Sequence, residues 1–456
     1  MKTLENMGVK IPDLLLPANI ETETWSVVAC DQYTQDRDYW TQVQKTAGNK
    51  PSTLNIILPE VYLNDSDKTE RIKKIREQMK NYLSSGVFAP EEKEMVYVER
   101  KTAYGRVRKG LVTAIDLETY EWKPFSKALI RATEATIVER IPPRMEIRNG
   151  APLESPHIML LVSDEKKALV EGTGERVKGG KPLYQGNLMM NSGSISGWAV
   201  KAESDIEYVR STLEGLFEKN KEADGSSFLF AVGDGNHSLA TAKAVWDEYK
   251  KAHPETADLS SRESLECAVR YALVEIVNIY DDGLTFEPIH RVVFNAEPAS
   301  FVEDLKNSLG GNISYVKDEK TLSETVAKST ASFGFVYKKD GKEVFALLDC
   351  EKKSSGSVLA VSFFQPALDE ELKNLNAAVE KAGSASEKLS IDYIHGDKEV
   401  FRLGKMDNAI GILLPPVDKS SFFDTINSNG PLPRKSFSMG EADEKRFYLE
   451  CRRLFS

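Results

Sequence analysis

Residues Phe228 to Lys250 read FLFAVGDGNHSLATAKAVWDEYK, and this stretch decides the fold. The apolar residues up to Val232 predict a buried β-strand, and Gly233 and Gly235 then predict a tight turn. Beyond the turn, apolar residues recur at helical spacing, so a helix with one apolar face is expected. That face consists of Leu239, Ala242, Trp246 and Tyr249. A strand that passes through a glycine turn into a helix indicates a mixed α/β fold.

The glycine turn is also the first candidate for a binding site. Glycine lets the backbone turn sharply and approach a ligand closely. The amides of Asn236, His237 and Ser238 begin the helix and would point at a ligand over its N-terminus, where a phosphate is the natural occupant. The alternative is purely structural, with Asn236 or Ser238 capping the helix and Asp234 forming an Asx turn.

Composition excludes several classes of protein. The chain has 456 residues, which predicts two or three domains, and 41% of them are hydrophobic, as in ordinary globular proteins. Its 70 acidic residues outnumber its 60 Lys and Arg residues, and the net charge of −10 disfavours nonspecific nucleic-acid binding. The four cysteines form no CxxC pair and the histidines lack ligand spacing, so no disulfide framework or zinc site is predicted. No apolar segment is long enough for a signal peptide or a membrane span, so a cytoplasmic location is expected.

Elsewhere the sequence pattern interleaves helices and strands. Helices are predicted over residues 67–83, 204–219 and 301–309. Strands are predicted over residues 25–30, 54–58, 95–98, 110–115, 157–162, 333–337, 344–348, 410–414 and 447–453. Residues 171–198 carry seven glycines and predict a long connection or an irregular hairpin. Their GTGERV lacks the third glycine of a dinucleotide-binding fingerprint, so a Rossmann fold is not expected.

Several motifs resemble those of one protein family. The GDGNHSLATA segment resembles the (A/G)DGHHR loop of DUF1015, a family of proteins of unknown function. Further stretches similar to that family's motifs follow in the family's order. They are RATEAT at 131–136, GLTFEPIHRVV at 283–293, DYIH at 392–395 and LPRKSF at 432–437. The matches span residues 131–437, which is most of the chain.

The resemblance implies a fold and a class of chemistry. It implies a ParB/sulfiredoxin-like nucleotide-binding core over residues 96–255, between an N-terminal α/β part (1–95) and a C-terminal α+β part (256–456) that completes the binding cleft. By analogy with the free-serine kinases of that superfamily, it implies phosphoryl transfer to or from a small hydroxyl metabolite, with serine or phosphoserine as the leading substrate. ADP or ATP, together with Mg²⁺, would be the cofactors. A non-catalytic nucleotide-binding regulator and a phosphoserine hydrolase are the alternatives, and the oligomeric state is left open.

The same resemblance implies roles for individual residues. Glu134 is the predicted base, by analogy with the serine-kinase carboxylate. Asp234 is predicted to bind Mg²⁺ or a substrate ammonium, and His237 to donate to a phosphate oxygen. The residues predicted to hold phosphate or nucleotide are Gly233, Gly235, Asn236, Ser238, Arg291 and Lys435.

The remaining candidate residues are one arginine and three histidines, and the chain departs from the family motifs at two places. Arg131 and His290 are assigned to substrate contacts, whereas His157 and His395 are interpreted as structural. Asn236-His237-Ser238 stands where the family has His-His-Arg, so a bidentate phosphate donor is missing from the loop. Arg291 or Lys435 is expected to replace its charge. Thr133-Glu134 stands where the family has His-Glu, which preserves the carboxylate.

Overall fold

A computed structural model describes residues 2–350, 358–381 and 388–455. The chain divides into two compact units. The first unit comprises Met1–Leu284 and Gly440–Ser456, and the second comprises Thr285–Met439. Both contain helices and strands, so the predicted mixed α/β (α+β) class is confirmed. Within the described ranges, every helix is too short or too polar to cross a membrane.

The helices of the first unit begin and end close to the sequence predictions where apolar periodicity is strong. Helix α3 spans Lys68–Ser84 and α6 spans Glu203–Lys219, each within a residue or two of its predicted limits. The α-helices along the chain are α1 Thr22–Trp25, α2 Arg37–Ala47, α3 Lys68–Ser84, α4 Ile141–Arg148, α5 Val170–Val177, α6 Glu203–Lys219, α7 Asn236–Ala252, α8 Arg262–Glu266, α9 Pro298–Leu309, α10 Glu319–Ala327, α11 Ala360–Lys381, α12 Asp397–Gly404 and α13 Phe422–Asn429.

The strands differ widely in length, from two residues in β1 to ten in β5. They are β1 Val9–Lys10, β2 Asp13–Leu14, β3 Glu92–Lys93, β4 Met95–Lys101, β5 Val107–Asp116, β6 Tyr120–Glu121, β7 Ile130–Ala132, β8 Leu153–Glu154, β9 Met159–Val162, β10 Tyr184–Asn187, β11 Ser194–Val200, β12 Phe230–Asp234, β13 Tyr271–Asn278, β14 Phe286–Pro288, β15 His290–Phe294, β16 Asn312–Tyr315, β17 Ser332–Lys339, β18 Lys342–Asp349, β19 Ser390–Ile394, β20 Ala409–Leu413, β21 Phe437–Met439 and β22 Arg452–Arg453.

A mixed ten-stranded sheet organises the first unit. Its order is β10-β11-β4-β5-β13-β9-β12-β7-β6, with β1 paired to β5. Strand β12 lies between β7, to which it is parallel, and β9, to which it is antiparallel. Side chains that alternate along β4 enter different core clusters: Met95 and Tyr97 join one, Val96 and Val98 the other. The sheet is therefore buried on both faces, as the continuous apolar runs of its strands require.

The second unit is built on a six-stranded antiparallel sheet of order β16-β18-β17-β20-β15-β19. The sequence KKDGK at 338–342 forms the hairpin between β17 and β18. Helices α10 and α12 pack on the sheet, where Leu322, Val400 and Phe401 join a buried cluster with strand residues. At the ends of this unit, β14 pairs with β21, so Phe286 lies opposite Met439.

Two predicted strands are not strands. The first part of the predicted strand over 54–58 lies in a 3-10 helix, Thr53–Ile56. The Ser52 hydroxyl accepts a hydrogen bond from the amide of Leu54 and so starts a helical turn. The other predicted strand, over residues 25–30, begins at the last residue of α1, Trp25. Its β-pairing consists of an isolated bridge between Val28 and Phe447. The predicted strand over 447–453 supplies that bridge, and its regular pairing is limited to β22 with β8.

The glycine-rich segment 171–198 also differs from its prediction. It contains helix α5 and the hairpin of β10 and β11. Gly174 of α5 faces the ring of Tyr97, and Gly172 faces the hydroxyl of Tyr208, so a side chain at either position would collide with a tyrosine. The glycines read as loop signals therefore allow close packing between the helix and its neighbours.

Candidate functional site

The glycine turn between β12 and α7 is held in a single geometry. Gly235 occupies the position before the helix with φ 83° and ψ 28°, in the left-handed region. Its amide donates to Oδ1 of Asp234 at 3.0 Å, so that amide is not available to a ligand. A Cβ at Gly235 would lie 3.1 Å from Cγ1 and 3.2 Å from Cα of Ile158. Both the conformation and the close approach to β9 require glycine here.

This geometry predicts a stability defect in Gly235→Val. The variant should lose about 1–3 kcal/mol, because a β-branched residue is strained at positive φ and also presses on Ile158. Gly225→Val is the matched control, since Gly225 has φ 85° but open space around its Cβ position. Denaturant unfolding followed by tryptophan fluorescence measures both. An equal loss in the two variants would show that the contact with Ile158 contributes nothing.

The first turn of α7 is pinned to the segment that carries Glu134. Asn236 makes two hydrogen bonds to Thr133, accepting from its amide and donating to its hydroxyl, both at 3.2 Å. The amide of Ile137 donates to Nε2 of His237 at 3.3 Å. Half-buried Glu134 lies between these two attachment points in sequence. Two stretches about a hundred residues apart thus meet at the N-terminus of one helix.

These contacts decide against the capping alternative for Asn236 and Ser238. Glycine occupies the capping position, and the side chain of Asn236 is directed to Thr133. Ser238 places its Oγ 2.9 Å from Nε2 of His157. Asp234 bonds the amide directly after it, whereas an Asx turn would use the next amide along.

A chain of hydrogen bonds runs inward from Ser238. Nδ1 of His157 lies 2.8 Å from the hydroxyl of Tyr448, and that hydroxyl accepts from the amide of Cys30 at 3.2 Å. Oδ2 of Asp31 lies 3.9 Å from Nε2 of His157. His157 and Tyr448 are buried, whereas Ser238 is half-buried. The hydroxyl of half-buried Ser238 thus contacts one nitrogen of an imidazole whose other nitrogen contacts Tyr448.

Burial keeps the inner groups of this chain protonated. Desolvation raises the pKa of Tyr448 well above its usual value, and the neighbouring Cys30 adds to that effect. Desolvation also raises the pKa of the Cys30 thiol, with further contributions from the carboxylates of Asp31 and Glu60. Tyr448 and Cys30 therefore remain neutral at physiological pH and serve as hydrogen-bonding groups.

A lysine that the sequence interpretation missed supplies positive charge beside the turn. Nζ of Lys445 lies 3.7 Å from Oδ2 of Asp234, and the two side chains are only 11% and 19% exposed. Lys445 comes from the C-terminal segment that returns to the first unit. Lys445 lies more than two hundred positions from the turn and outside the motifs that resemble those of the family. Its position beside Asp234 is therefore visible only in the folded structure.

Arg131 contacts the other end of β12. Its guanidinium lies over the ring of Phe228 at 4.4 Å, and its Nη2 is 3.8 Å from a carboxylate oxygen of Glu222. Its Nε donates to the carbonyl of Ala128 at 2.9 Å. These partners precede β12, while the glycine turn follows it. The geometry therefore gives Arg131 a structural environment, and its predicted substrate contact gains no support.

His290, Arg291 and Lys435 belong to the second unit. His290 is buried, with Nδ1 accepting from the amide of Leu414 at 3.1 Å and Nε2 3.0 Å from Asp397. Arg291 is completely buried on β15, and desolvation lowers its pKa to about 10. Lys435 is exposed and has a left-handed φ of 60°. The contacts of these three residues with phosphate or substrate stay predictions.

The described part of the chain holds no cluster of three or more His, Cys, Asp or Glu side chains arranged to bind a metal. Asp234 is a carboxylate within the turn itself, and its two oxygens already face the Gly235 amide and Lys445. A divalent cation here would need ligands from a bound phosphate as well. That arrangement is usual for Mg²⁺, which commonly binds one or two carboxylates together with substrate phosphates.

Comparisons with known proteins give a family and distant likenesses. A family model described as "Protein of unknown function (DUF1015)" matches residues 16–371. No curated protein matches the sequence. A conserved hypothetical protein from Pyrococcus furiosus is 12% identical with a TM-score of 0.33, over 75% of this chain and 94% of that one.

Two further solved structures are similarly distant. A mutant free serine kinase in complex with ADP is 11% identical with a TM-score of 0.34, over 74% of this chain and 91% of that one. SbnI with a C-terminal truncation, from Staphylococcus aureus, is 7% identical with a TM-score of 0.33, over 72% and 83%. At these TM-scores the likenesses carry no argument about activity or ligand.

Proposed function

The chain belongs to the DUF1015 family, and from that premise we propose that it transfers a phosphoryl group between a nucleotide and a small hydroxyl metabolite. Serine is the leading acceptor and ATP or ADP the leading nucleotide. One observation carries the proposal: Asn236 and His237 hold the segment of Glu134 against the uncapped N-terminus of α7. The segment that carries Glu134 thus lies beside the helix N-terminus at which a phosphate would bind.

The phosphate would bind at the first turn of α7. The amides that begin a helix carry partial positive charge, and no side chain caps them at Gly235. Lys445 adds a full positive charge next to Asp234 and offsets the arginine that is missing from the loop at Ser238. Phosphoryl transfer depends mainly on positioning and on neutralising phosphate charge, and these groups would provide both.

Glu134 would act as the base toward the acceptor hydroxyl. Its neighbours Thr133 and Ile137 are anchored to α7, so the carboxylate is carried by a fixed segment. Asp234 would hold Mg²⁺ together with the nucleotide phosphates, and the ion would neutralise phosphate charge. His237 would donate to a phosphate oxygen. Arg291 and Lys435 remain predicted phosphate ligands from the second unit.

A ligand-stabilisation experiment tests the nucleotide half of the proposal. ATP with Mg²⁺, at a hundred times its dissociation constant, should stabilise the protein by about 2.7 kcal/mol in a thermal-shift assay. Lys445→Met should reduce that stabilisation because the cation beside the turn is lost. Lys435→Met is the comparison, since the same substitution there removes an exposed lysine.

The outcomes separate the proposed ligands. A reduced response in Lys445→Met alone places the phosphate at the turn, and a reduced response in both variants adds Lys435 to the site. Stabilisation by ATP without any transfer to serine would favour the nucleotide-binding regulator. Release of phosphate from phosphoserine would favour the hydrolase. Absence of a response to ATP, ADP, CTP, serine and phosphoserine in the wild-type protein would overturn the proposal.

A further inference from the structure

Ser238 has the surroundings of an activated hydroxyl. Its Oγ is 2.9 Å from Nε2 of His157, within the range of a hydrogen bond that can pass a proton. The other nitrogen of that imidazole is fixed by Tyr448 at 2.8 Å. A nucleophile next to a base, with the base oriented by a third group, is the arrangement that activates serine hydroxyls in enzymes.

Two contacts orient the imidazole of His157. The hydroxyl of Tyr448 lies 2.8 Å from Nδ1, and Oγ of Ser238 lies 2.9 Å from Nε2. The tautomer with its proton on Nδ1 donates to Tyr448 and leaves Nε2 unprotonated. Activation of Ser238 requires this tautomer, in which Nε2 accepts the proton of the serine hydroxyl.

Ser238 is also accessible and well placed to carry an anion. It is half-buried, whereas His157 and Tyr448 behind it are buried, so a reacting phosphate can approach Oγ from the outer side only. It lies in the first turn of α7, where the helix dipole and the leading amides favour negative charge. A phosphoryl group on Oγ would therefore be stabilised where it forms.

We propose that Ser238 is a covalent phosphoryl carrier and that His157 is the base that activates it. The proposal rests on the proposed function, from which it takes the nucleotide. In the first step Oγ of Ser238 attacks the terminal phosphorus of ATP, its proton passes to Nε2 of His157, and the bond to the bridging oxygen breaks with release of ADP. In the second step the acceptor hydroxyl loses its proton to Glu134 and attacks the phosphoserine. Ser238 leaves as an alkoxide and recovers its proton from His157.

Phosphate labelling in the absence of an acceptor tests this directly. The full-length protein is incubated with γ-labelled ATP and Mg²⁺, digested with trypsin and analysed by mass spectrometry. The tryptic peptide of residues 222–243 should carry one phosphoryl group, located on Ser238. Ser238→Ala should abolish the label. Ser226→Ala is the matched control, because Ser226 lies in the same peptide but in an exposed turn, and its label should equal that of the wild type.

The base and the positioning residue have their own variants. His157→Gln should slow labelling by roughly 10²- to 10⁴-fold. Tyr448→Phe removes only the hydroxyl that orients the imidazole, so it should slow labelling while leaving the thermal shift with ATP unchanged. A labelling rate in His157→Gln equal to that of the wild type would overturn the assignment of the base.

The thermal shift with ATP distinguishes failure of the carrier role of Ser238 from failure of the proposed function. If ATP stabilises the wild-type protein and phosphate reaches serine while Ser238 stays unlabelled, the carrier role is wrong and the proposed function stands. If ATP neither stabilises nor labels the protein, both are wrong. If Ser238→Ala transfers phosphate at the wild-type rate, a direct transfer from ATP to the acceptor replaces the covalent route.

Discussion

Replacing Arg446 by methionine should destabilise the first unit by about 3–5 kcal/mol, the usual cost of removing one partner from a buried charge network. The guanidinium donates from Nε to Glu275 at 2.8 Å and from Nη2 to Glu450 at 2.6 Å. Nη1 donates to the carbonyl of Pro156 at 2.7 Å. Methionine fills much of the same volume but leaves two buried carboxylates without their main counter-charge.

The electrostatic environment supports this order of magnitude. Burial alone would favour the neutral form of Arg446, but the carboxylates of Glu450 and Glu275 outweigh it and raise the pKa of the guanidinium. All three side chains are at most 4% exposed, so solvent screens the remaining charges poorly. Glu450 is also hydrogen-bonded to Tyr184, and Glu275 lies near Arg108, which couples the cluster to β10 and β5.

Arg453→Met is the control for Arg446→Met. Arg453 lies seven residues further on, is exposed and pairs with Glu91 at 3.2 Å, so its loss should cost at most about 1 kcal/mol. All five tryptophans lie in the first unit, so tryptophan fluorescence during urea unfolding reports on that unit alone. Similar midpoints for the two variants would contradict the prediction.

Replacing Glu134 by glutamine should reduce turnover by roughly 10²- to 10⁴-fold. The amide keeps the size of the side chain and much of its hydrogen bonding, but it cannot accept a proton from the acceptor hydroxyl. Nucleotide affinity should change little, because the phosphates are assigned to the first turn of α7 and to Lys445. The measurements are kcat for transfer to serine, the dissociation constant of ATP and the melting temperature.

Glu139→Gln serves as the control for Glu134→Gln. Glu139 lies five positions further along the chain and is exposed, so its substitution should leave all three quantities close to the wild type. A lower melting temperature together with an equal loss of turnover and affinity would assign Glu134 a structural role. Unchanged turnover would show that another group takes the proton.

The local part of the site could be predicted from the sequence, and the distant part could not. Strand β12, the glycine turn and α7 follow from apolar periodicity and from Gly233 and Gly235, which act over a few residues. The meeting of Glu134 with α7 was suggested by motif order alone. Lys445 carries no local signal, because a lysine before an apolar stretch is usually solvated.

His157 shows that a sequence pattern does not reveal the partners of a residue. A lone histidine in an apolar stretch is ordinarily structural, and the sequence gives no reason to pair it with Ser238 or Tyr448. These residues meet because β9 lies beside β12 and because the C-terminal segment returns to the same unit. The helix over 170–177 was not predicted for a related reason. Its glycines make room for the side chains of Tyr97 and Tyr208 and do not mark a local turn.

The return of residues 440–455 to the first unit has a consequence for synthesis on the ribosome. Trp25 donates its indole N–H to the carbonyl of Leu449, a partner 424 residues away in sequence. At roughly 5–20 residues per second, the ribosome needs on the order of 20–90 s to deliver that partner. During this interval the apolar residues around Trp25 and Val28 lack their contacts with the segment of Phe447 and Leu449. We therefore expect chaperones to bind the N-terminal part of the nascent chain most strongly. This dependence should last long after that part has left the exit tunnel.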